Sequence, residues 1–148
     1  MADKISIKPY EHIAQYYETD QMKIIHHSNY VRWMESARID YLEQIGCPYD
    51  EMERLGILSP VLSVSCEYKS PVRFGETVII EAHITKYDGL RFNVAYEIRD
   101  KESGTLRVKG TSTHCFVTEN MRPVSLKRKH PDMHEKLLRA FESETEEN

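Results

Sequence analysis

The sequence predicts an α+β domain in which one antiparallel sheet of five strands wraps around a single long helix. Between Tyr30 and Ile45, apolar residues recur at steps of three and four, which is the spacing of one buried helix face. Several other segments alternate apolar and polar side chains, as strands with one buried and one solvated face do. Because only the helix is long enough to cover the apolar faces, we expect it to lie at the centre of the sheet.

The predicted central helix has recognisable ends. Ser28 or Asn29 is a good N-cap, and Gly46 and Pro48 stop the helix. The predicted buried stripe consists of Tyr30, Trp33, Met34, Ala37, Tyr41 and Ile45. Charged and polar residues fall largely on the rest of the helix surface, so the stripe is predicted to pack on the sheet.

A first strand is predicted for Ile5–Tyr17, where alternation combines with β-branched and aromatic residues. The later alternating segments are Leu58–Tyr68, Thr77–Tyr87, Arg91–Arg99 and Leu106–Val117. In the last of these, the small residues Gly110 and Ser112 face inward, which suits a strand against which another element packs closely. A short C-terminal helix is predicted for Pro131–Phe141.

Composition is that of a protein with an ordinary packed core. The chain has 148 residues, of which 40% are hydrophobic and 30% charged, with a formal net charge of -4. The negative charge argues against a general nucleic-acid binder, and no apolar run reaches transmembrane length. Because the start is polar and not signal-like, we expect a cytoplasmic protein. We expect a single domain over residues 1–142 and a disordered acidic tail over 143–148.

The cysteines and histidines do not predict a metal site. Cys47, Cys66 and Cys115 are odd in number and lack a C-x-x-C spacing, so free thiols are expected. His26 and His27 are adjacent in sequence, and adjacent side chains point apart on a helix. We therefore predict neither a disulfide nor a bound metal.

The polar segment before the helix carries the residues best suited to chemistry. Asp20, His26 and His27 lie just before the positive end of the predicted helix. The unpaired backbone N–H groups at such an end favour negative charge and can stabilise a developing oxyanion. Taken alone, Asp20 is better explained as a capping or turn residue than as a catalytic one.

The chain resembles the hotdog-fold acyl-CoA thioesterases, and among them the branch of the 4-hydroxybenzoyl-CoA and Tol–Pal-associated thioesterases. The core of the resemblance is Y-Y-E-T-D, then five residues, then H-H-S-N-Y-V-R-W-M-E-S-A-R. Further matches are Y-K-S-P-V-R-F-G-E and F-V-T-E-N-M-R-P-V-S-L, so the resemblance runs from about Tyr16 to Leu126. The chain departs from the family pattern at Gln21-Met22-Lys23, where the family has small residues after the aspartate.

The resemblance implies an acyl-CoA thioesterase that uses no cofactor. Asp20 falls on the catalytic aspartate of the family, and the backbone N–H at His27 is expected to polarise the thioester carbonyl. Tyr16 matches a tyrosine of the same motif, and Asn29 and Tyr30 match the start of the helix, where substrate is expected to bind. The family also implies a homodimer or homotetramer with active sites at the subunit interface.

Basic side chains are the candidates for binding the phosphates of coenzyme A. Among these side chains, Arg73 and the basic run that contains Lys127 and Arg128 are the preferred candidates. Solvated charge at strand ends is the alternative explanation for each of them.

Several alternatives stay open at this level. Asp20 can attack the carbonyl itself or activate a water molecule. A hotdog hydratase or dehydratase would need an Asp–His acid/base pair, which Asp20 and His27 could mimic. A protein that binds acyl-CoA without turnover is the third candidate. The acyl group, the choice between coenzyme A and acyl carrier protein, and the choice between dimer and tetramer stay open as well.

Overall fold

A computed structural model describes residues 6–145 of the chain. Its elements, in chain order, are β1 (Tyr10–Ile13), α1 (His27–Gln44), α2 (Tyr49–Arg54), β2 (Val61–Tyr68), β3 (Thr77–Tyr87), β4 (Arg91–Asp100), β5 (Leu106–Cys115), α3 (Leu126–Lys129) and α4 (Pro131–Thr145). A short 3-10 turn, Tyr16–Glu18, lies between β1 and α1.

The five strands form one antiparallel sheet in the order β1-β3-β4-β5-β2. Helix α1 packs on one face of this sheet, and the predicted stripe from Tyr30 to Tyr41 is buried, while Ile45 is half-buried. Every second residue is buried from Val78 to Ile84 in β3 and from Phe92 to Ile98 in β4, as the predicted alternation requires. In β5, the predicted inward residues Gly110 and Ser112 are buried as well. The predicted α+β architecture, with a five-stranded sheet around one helix, is therefore confirmed.

The first strand is shorter than predicted. β1 covers four residues of the Ile5–Tyr17 segment, and Ile5 itself lies outside the described residues. The chain leaves the sheet after Ala14, whose N–H donates to Glu76 O at 2.9 Å, and then enters the 3-10 turn. The alternation of the sequence therefore continues past the point where the backbone still has a strand partner.

Strand β2 differs from the predicted strand with one buried face. It lies at the edge of the sheet, and Val61, Leu62 and Val64 are about half exposed. On the opposite face, Ser65 and its neighbours are exposed as well. These three apolar side chains are therefore left about half uncovered within one chain, while Cys66, further along β2, lies against Met34 of α1.

Helix α4 runs further than predicted. It extends to Thr145, so the first residues of the segment expected to be a disordered tail are helical. Glu144 anchors this end, because it accepts hydrogen bonds from His83 Nδ1 at 2.9 Å and from Tyr41 Oη at 3.4 Å. Residues 146–148 of the expected tail lie outside the described residues.

Two further features complete the description of residues 6–145. Within this range, no helix is both long and apolar enough to cross a membrane. Cys47, Cys66 and Cys115 are free thiols, as predicted.

Candidate active site

Asp20 begins a tight turn in front of α1. Its N–H donates to Ile24 O at 2.8 Å, and its carbonyl accepts from Lys23 N at 3.0 Å. The carboxylate Oδ1 accepts from Met22 N at 2.8 Å, which is the bond of an Asx-turn. Within the described chain, Oδ2 has no hydrogen-bond partner. The turn role considered for Asp20 is therefore real, and it leaves one carboxylate oxygen available.

The turn is built without the small residues typical of the family. Lys23 has a φ of 66°, a left-handed conformation that favours glycine. Its side chain is exposed, as are those of Gln21 and Met22. The bulky residues thus point into solvent, and the backbone adopts the turn at the cost of strain at Lys23.

The N-cap of α1 lies two or three residues earlier than predicted. The helix begins at His27, and the N-cap is His26, whose Nδ1 accepts from Ser28 N at 3.2 Å. An imidazole nitrogen can replace the usual side-chain oxygen here because it carries a lone pair when it is unprotonated. Among residues 6–145, no acceptor takes the N–H of His27. That group remains free to meet an anion or a polarised carbonyl.

Glu18 is the residue that the sequence analysis missed. It is the only buried residue between Ala14 and Ile25, with 5% of its surface exposed. Its carboxylate accepts from Gln15 N at 2.8 Å and from Trp33 Nε1 at 2.7 Å. The position of Glu18 within Y-Y-E-T-D was the signal available in the sequence, but a glutamate beside two tyrosines gives no sign of burial.

Further bonds join Glu18 to β1 and to the helix start. His12 Nε2 lies 2.8 Å from Glu18 Oε1, and the main-chain carbonyl of Glu18 accepts from His26 N at 2.8 Å and Asn29 Nδ2 at 2.9 Å. Burial by itself raises the pKa of Glu18, but the bonds from His12, Gln15 and Trp33 outweigh it, so the pKa lies below its ordinary value. Glu18 is therefore an ionised carboxylate held inside the protein.

Asn29 and Tyr30 are both buried at the start of α1. The amide of Asn29 is used by Glu18, as described above. Tyr30 Oη accepts from Val72 N at 3.3 Å, and burial raises the pKa of its phenol. These two residues therefore hold the helix start against the Asp20 turn and the loop before β3.

Tyr16 lies on the surface and not in the core. It is 76% exposed, and its ring meets the exposed ring of Phe74 edge to face, with centroids 5.8 Å apart. Tyr16 therefore does not contribute to the core of the single chain. Its hydroxyl is accessible on the same segment that carries Asp20.

The predicted phosphate-binding residues lie at opposite ends of the sheet. Arg73 is near Asp20, because the neighbouring Val72 O accepts from Ile25 N at 2.8 Å. Lys127 and Arg128 belong to α3, which is tied to the β3–β4 hairpin by Leu126 N. Since the 11 residues of β3 separate these ends, the distance is roughly 33 Å. One chain does not bring the two groups together.

Two cavities formed by the described residues lie away from Asp20 and His27. One, of about 510 Å³, lies beside the C-terminal half of α1, where Tyr41, His83 and Glu144 meet. Another, of about 450 Å³, lies near the β3–β4 hairpin and includes Lys86 and Arg91. Within residues 6–145, no group of His, Cys, Asp or Glu side chains is arranged to hold a metal ion. Asp20 is half-buried and lines neither of these two cavities.

This combination of fold and site occurs in known proteins. The family model described as the thioesterase-like superfamily matches residues 15–141. The chain belongs to this superfamily. The prediction of a hotdog-fold enzyme of the thioesterase class is therefore confirmed at this level.

Relatives of this thioesterase-like protein cover nearly its whole length. It is 38% identical over 122 residues to the putative acyl-CoA thioesterase YneP of Bacillus subtilis, covering 82% of this chain and 88% of that protein. It is 33% identical over 117 residues to a putative esterase of Aquifex aeolicus, covering 79% and 89%. The crystal structure of DHNA-CoA thioesterase from Staphylococcus aureus superposes with a TM-score of 0.90 at 35% identity, covering 95% of each chain.

Proposed function

We propose that this thioesterase-like protein hydrolyses acyl-CoA thioesters to a carboxylic acid and free coenzyme A. The observation that carries the proposal is the position of Asp20, whose turn directly precedes the free N–H of His27 and whose Oδ2 is unpaired within the described chain. A carboxylate and an oxyanion donor are the two groups that thioester hydrolysis requires. The names of the relatives support the same reaction.

Asp20 can act by either of two routes. As a nucleophile, its carboxylate attacks the thioester carbon and the C–S bond breaks to release the thiolate. One water then cleaves the acyl–Asp20 anhydride to the acid and the Asp20 carboxylate, and the proton released in this step neutralises the thiolate. As a general base, Asp20 removes a proton from the attacking water, and that proton passes to the leaving sulfur. Both routes consume one water and restore the carboxylate.

The remaining site residues have roles around this carboxylate. The N–H of His27 receives the carbonyl oxygen as negative charge develops on it, because the positive end of α1 favours that charge. Tyr16 contacts the thioester through its accessible hydroxyl. Tyr30 forms the floor of the acyl site, and Asn29 shapes that site by holding the helix start.

We propose that the site is completed by a second copy of the chain. The edge strand β2 has no strand partner on its outer side within the described chain, and most of its apolar side chains are exposed. Such an edge strand is able to pair with β2 of a second copy of the chain. Antiparallel pairing of two β2 strands about a two-fold axis reverses one sheet relative to the other. The α3 end of the partner then lies at the same end of the joint sheet as Asp20. Lys127 and Arg128 of one chain and Arg73 of the other would thereby reach one coenzyme A.

The motif also suggests a position within the superfamily. The Y-Y-E-T-D segment, with the carboxylate before the helix, supports the branch of the 4-hydroxybenzoyl-CoA and Tol–Pal-associated thioesterases. The likeness to a DHNA-CoA thioesterase makes aromatic acyl groups the first class of substrate to test.

The decisive experiment measures thiol release from aromatic, short aliphatic and long aliphatic acyl-CoAs. Asp20→Ala and Asp20→Asn should lower kcat by about 10²- to 10⁴-fold. Asp40→Asn is the matched control, since Asp40 is a half-buried carboxylate on α1 that accepts from Gln44 and lies about 20 Å along the helix from His27. Full activity in the Asp20 variants would remove Asp20 from the mechanism. If the wild type binds acyl-CoA tightly without releasing thiol, the proposed thioesterase activity is wrong. Loss of the absorbance of an enoyl substrate would instead indicate a hydratase.

A further inference from the structure

The segment that carries Asp20 is held to the protein by very little. From Gln15 to Ile24, every residue except Glu18 is exposed or half-buried, and the neighbouring Tyr16 and Tyr17 are each more than three-quarters exposed. A segment with so little buried apolar surface gains almost nothing from packing. Its position must come from hydrogen bonds, and those bonds converge on Glu18.

Glu18 contacts three separate parts of the chain at once. Its side chain reaches His12 on β1 and Trp33 in the second turn of α1, and its carbonyl reaches His26 and Asn29 at the helix start. Trp33 N–H and the N–H of Gln15 can only donate, so the carboxylate must accept from both. Hydrogen bonds to an ionised group are about twice as strong as bonds between neutral groups.

We infer that Glu18 is a positioning residue that holds the Asp20 carboxylate in register with the N–H groups at the start of α1. This inference rests on the proposed function, because it assigns Glu18 to the same reaction. Asp20 is only two residues beyond Glu18, and the N–H of His27 is one residue beyond His26, which is bonded to the Glu18 carbonyl. One residue therefore sets the position of both groups that act on the thioester.

The alternative is that Glu18 contributes only to folding, as many buried carboxylates do. The two roles differ in what a neutral replacement changes. In Glu18→Gln, an NH₂ group replaces one of the two carboxylate oxygens. That NH₂ group faces either Trp33 N–H or Gln15 N–H beside His12, and two N–H donors cannot bond to each other. At least one hydrogen bond is therefore lost. A folding role predicts a lower melting temperature and normal turnover by the folded fraction. A positioning role predicts lower turnover while the protein is fully folded.

The test compares Glu18→Gln with Glu144→Gln well below the melting temperature of each variant. Glu144 is a matched control, because it also accepts from a histidine and from an aromatic side chain but lies on α4. Glu18→Gln should lower kcat on the order of 10- to 100-fold with little change in KM, since small misplacements of catalytic groups cost that much. Glu144→Gln should leave kcat unchanged. Normal kcat in folded Glu18→Gln, with only stability reduced, would overturn the inference.

A second measurement does not depend on turnover. Lys23 is exposed in the Asp20 turn, so the rate of trypsin cleavage after Lys23 reports how often the turn opens. Cleavage after Lys101, in the β4–β5 hairpin, is the internal reference. Glu18→Gln should raise the Lys23:Lys101 ratio several-fold, and an unchanged ratio would contradict the positioning role. An inactive wild type would defeat the proposed function, while this ratio still decides whether Glu18 holds the turn.

Trp33 supplies a third readout, because it is the only tryptophan of the chain and it donates to Glu18. In the wild type, Trp33 emission should change in acid as Glu18 is protonated, because the carboxylate that accepts from Trp33 N–H then loses its charge. Glu18→Gln should abolish that emission change. An emission change that persists in Glu18→Gln would argue against the link between Trp33 and Glu18.

Discussion

Met34 on α1 lies directly over Gly110 on β5. A Cβ at position 110 would come within 2.7 Å of Met34 Sδ and 3.0 Å of the main-chain oxygen of Ser65. Cys66 Sγ lies 3.8 Å from the same methionine sulfur. The central helix approaches the sheet this closely only because position 110 lacks a side chain.

Gly110→Ala should therefore overpack the core and lower the free energy of unfolding by about 1–3 kcal/mol. Urea unfolding of Gly110→Ala, Met34→Ala and the double variant measures the coupling. The double variant should lose less stability than the sum of the single losses, because removing the Met34 side chain makes room for the new methyl group. Simple additivity would show that the methionine does not meet position 110.

Lys23→Gly should stabilise the protein by up to about 1 kcal/mol, because it relieves a left-handed backbone conformation at a non-glycine residue. Gln21→Gly is the control, since Gln21 is exposed in the same turn but has a negative φ. That control should lower stability by about 0.5–1 kcal/mol through the entropy of the unfolded chain. Equal effects of the two substitutions in urea unfolding would contradict strain at Lys23.

His114 should make the protein sensitive to acid. Burial, and to a smaller extent the charge of Arg38, lowers the pKa of His114 from 6.5 to about 3. Between these two pKa values, His114 is protonated in the unfolded chain and neutral in the folded chain. The free energy of unfolding therefore falls as the pH is lowered from 6.5 towards 3. His114→Gln can keep a hydrogen bond to Ser112 without titrating. The wild type should lose stability more steeply than this variant between pH 6.5 and 4, and parallel curves would refute the assignment.

The bond between Glu144 and His83 should have the opposite pH dependence. The hydrogen bond to Glu144 raises the pKa of His83 above 6.5, although burial opposes it. The resulting stabilisation is complete below pH 6.5 and is lost as pH rises through the raised pKa. Glu144→Gln should therefore cost more stability at pH 6 than at pH 9. Glu135→Gln, an exposed change on the same helix, should show no such difference when both are followed by thermal unfolding.

Val64→Lys should separate the proposed dimer. Val64 is 45% exposed in the middle of β2, and a two-fold axis would place two new charges close together on the paired edges. Sedimentation velocity should show a shift towards monomer, with loss of thiol release, because Lys127 and Arg128 would no longer reach the coenzyme A bound near Asp20. Ser103→Lys, in the β4–β5 hairpin, controls for added charge. A dimer that persists in Val64→Lys would place the interface elsewhere.

Much of the architecture could be predicted from local patterns. The helix stripe from Tyr30 to Tyr41 and the inward residues of β3 and β4 follow from periods of 3.6 and 2, which depend only on backbone geometry. The small residue at Gly110 also predicted close packing, and the structure shows Met34 in that place. The resemblance selected Asp20 and His27; the structure has Asp20 in the turn before α1 and His27 as the first residue of α1.

Other features depend on contacts between distant parts of the chain. The N-cap is His26 and not Ser28 or Asn29, because Glu18 O holds the N–H of His26 and the amide of Asn29. The burial of Glu18 requires β1 and α1 to meet around it. The separation of Arg73 from Lys127 follows from the direction of β3 through the sheet.

By itself, the sequence determined the type and order of the elements, the buried helix face and the superfamily to which the chain belongs. These properties are local, since they depend on spacing along the chain and on motifs of a few residues. The tertiary structure alone decided that a buried glutamate joins the Asp20 turn to the helix, and that β2 is an edge strand with much of its apolar surface exposed. Both features depend on which segments distant in sequence come into contact in the folded chain. The residues next to Glu18 and β2 in the sequence do not predict those contacts.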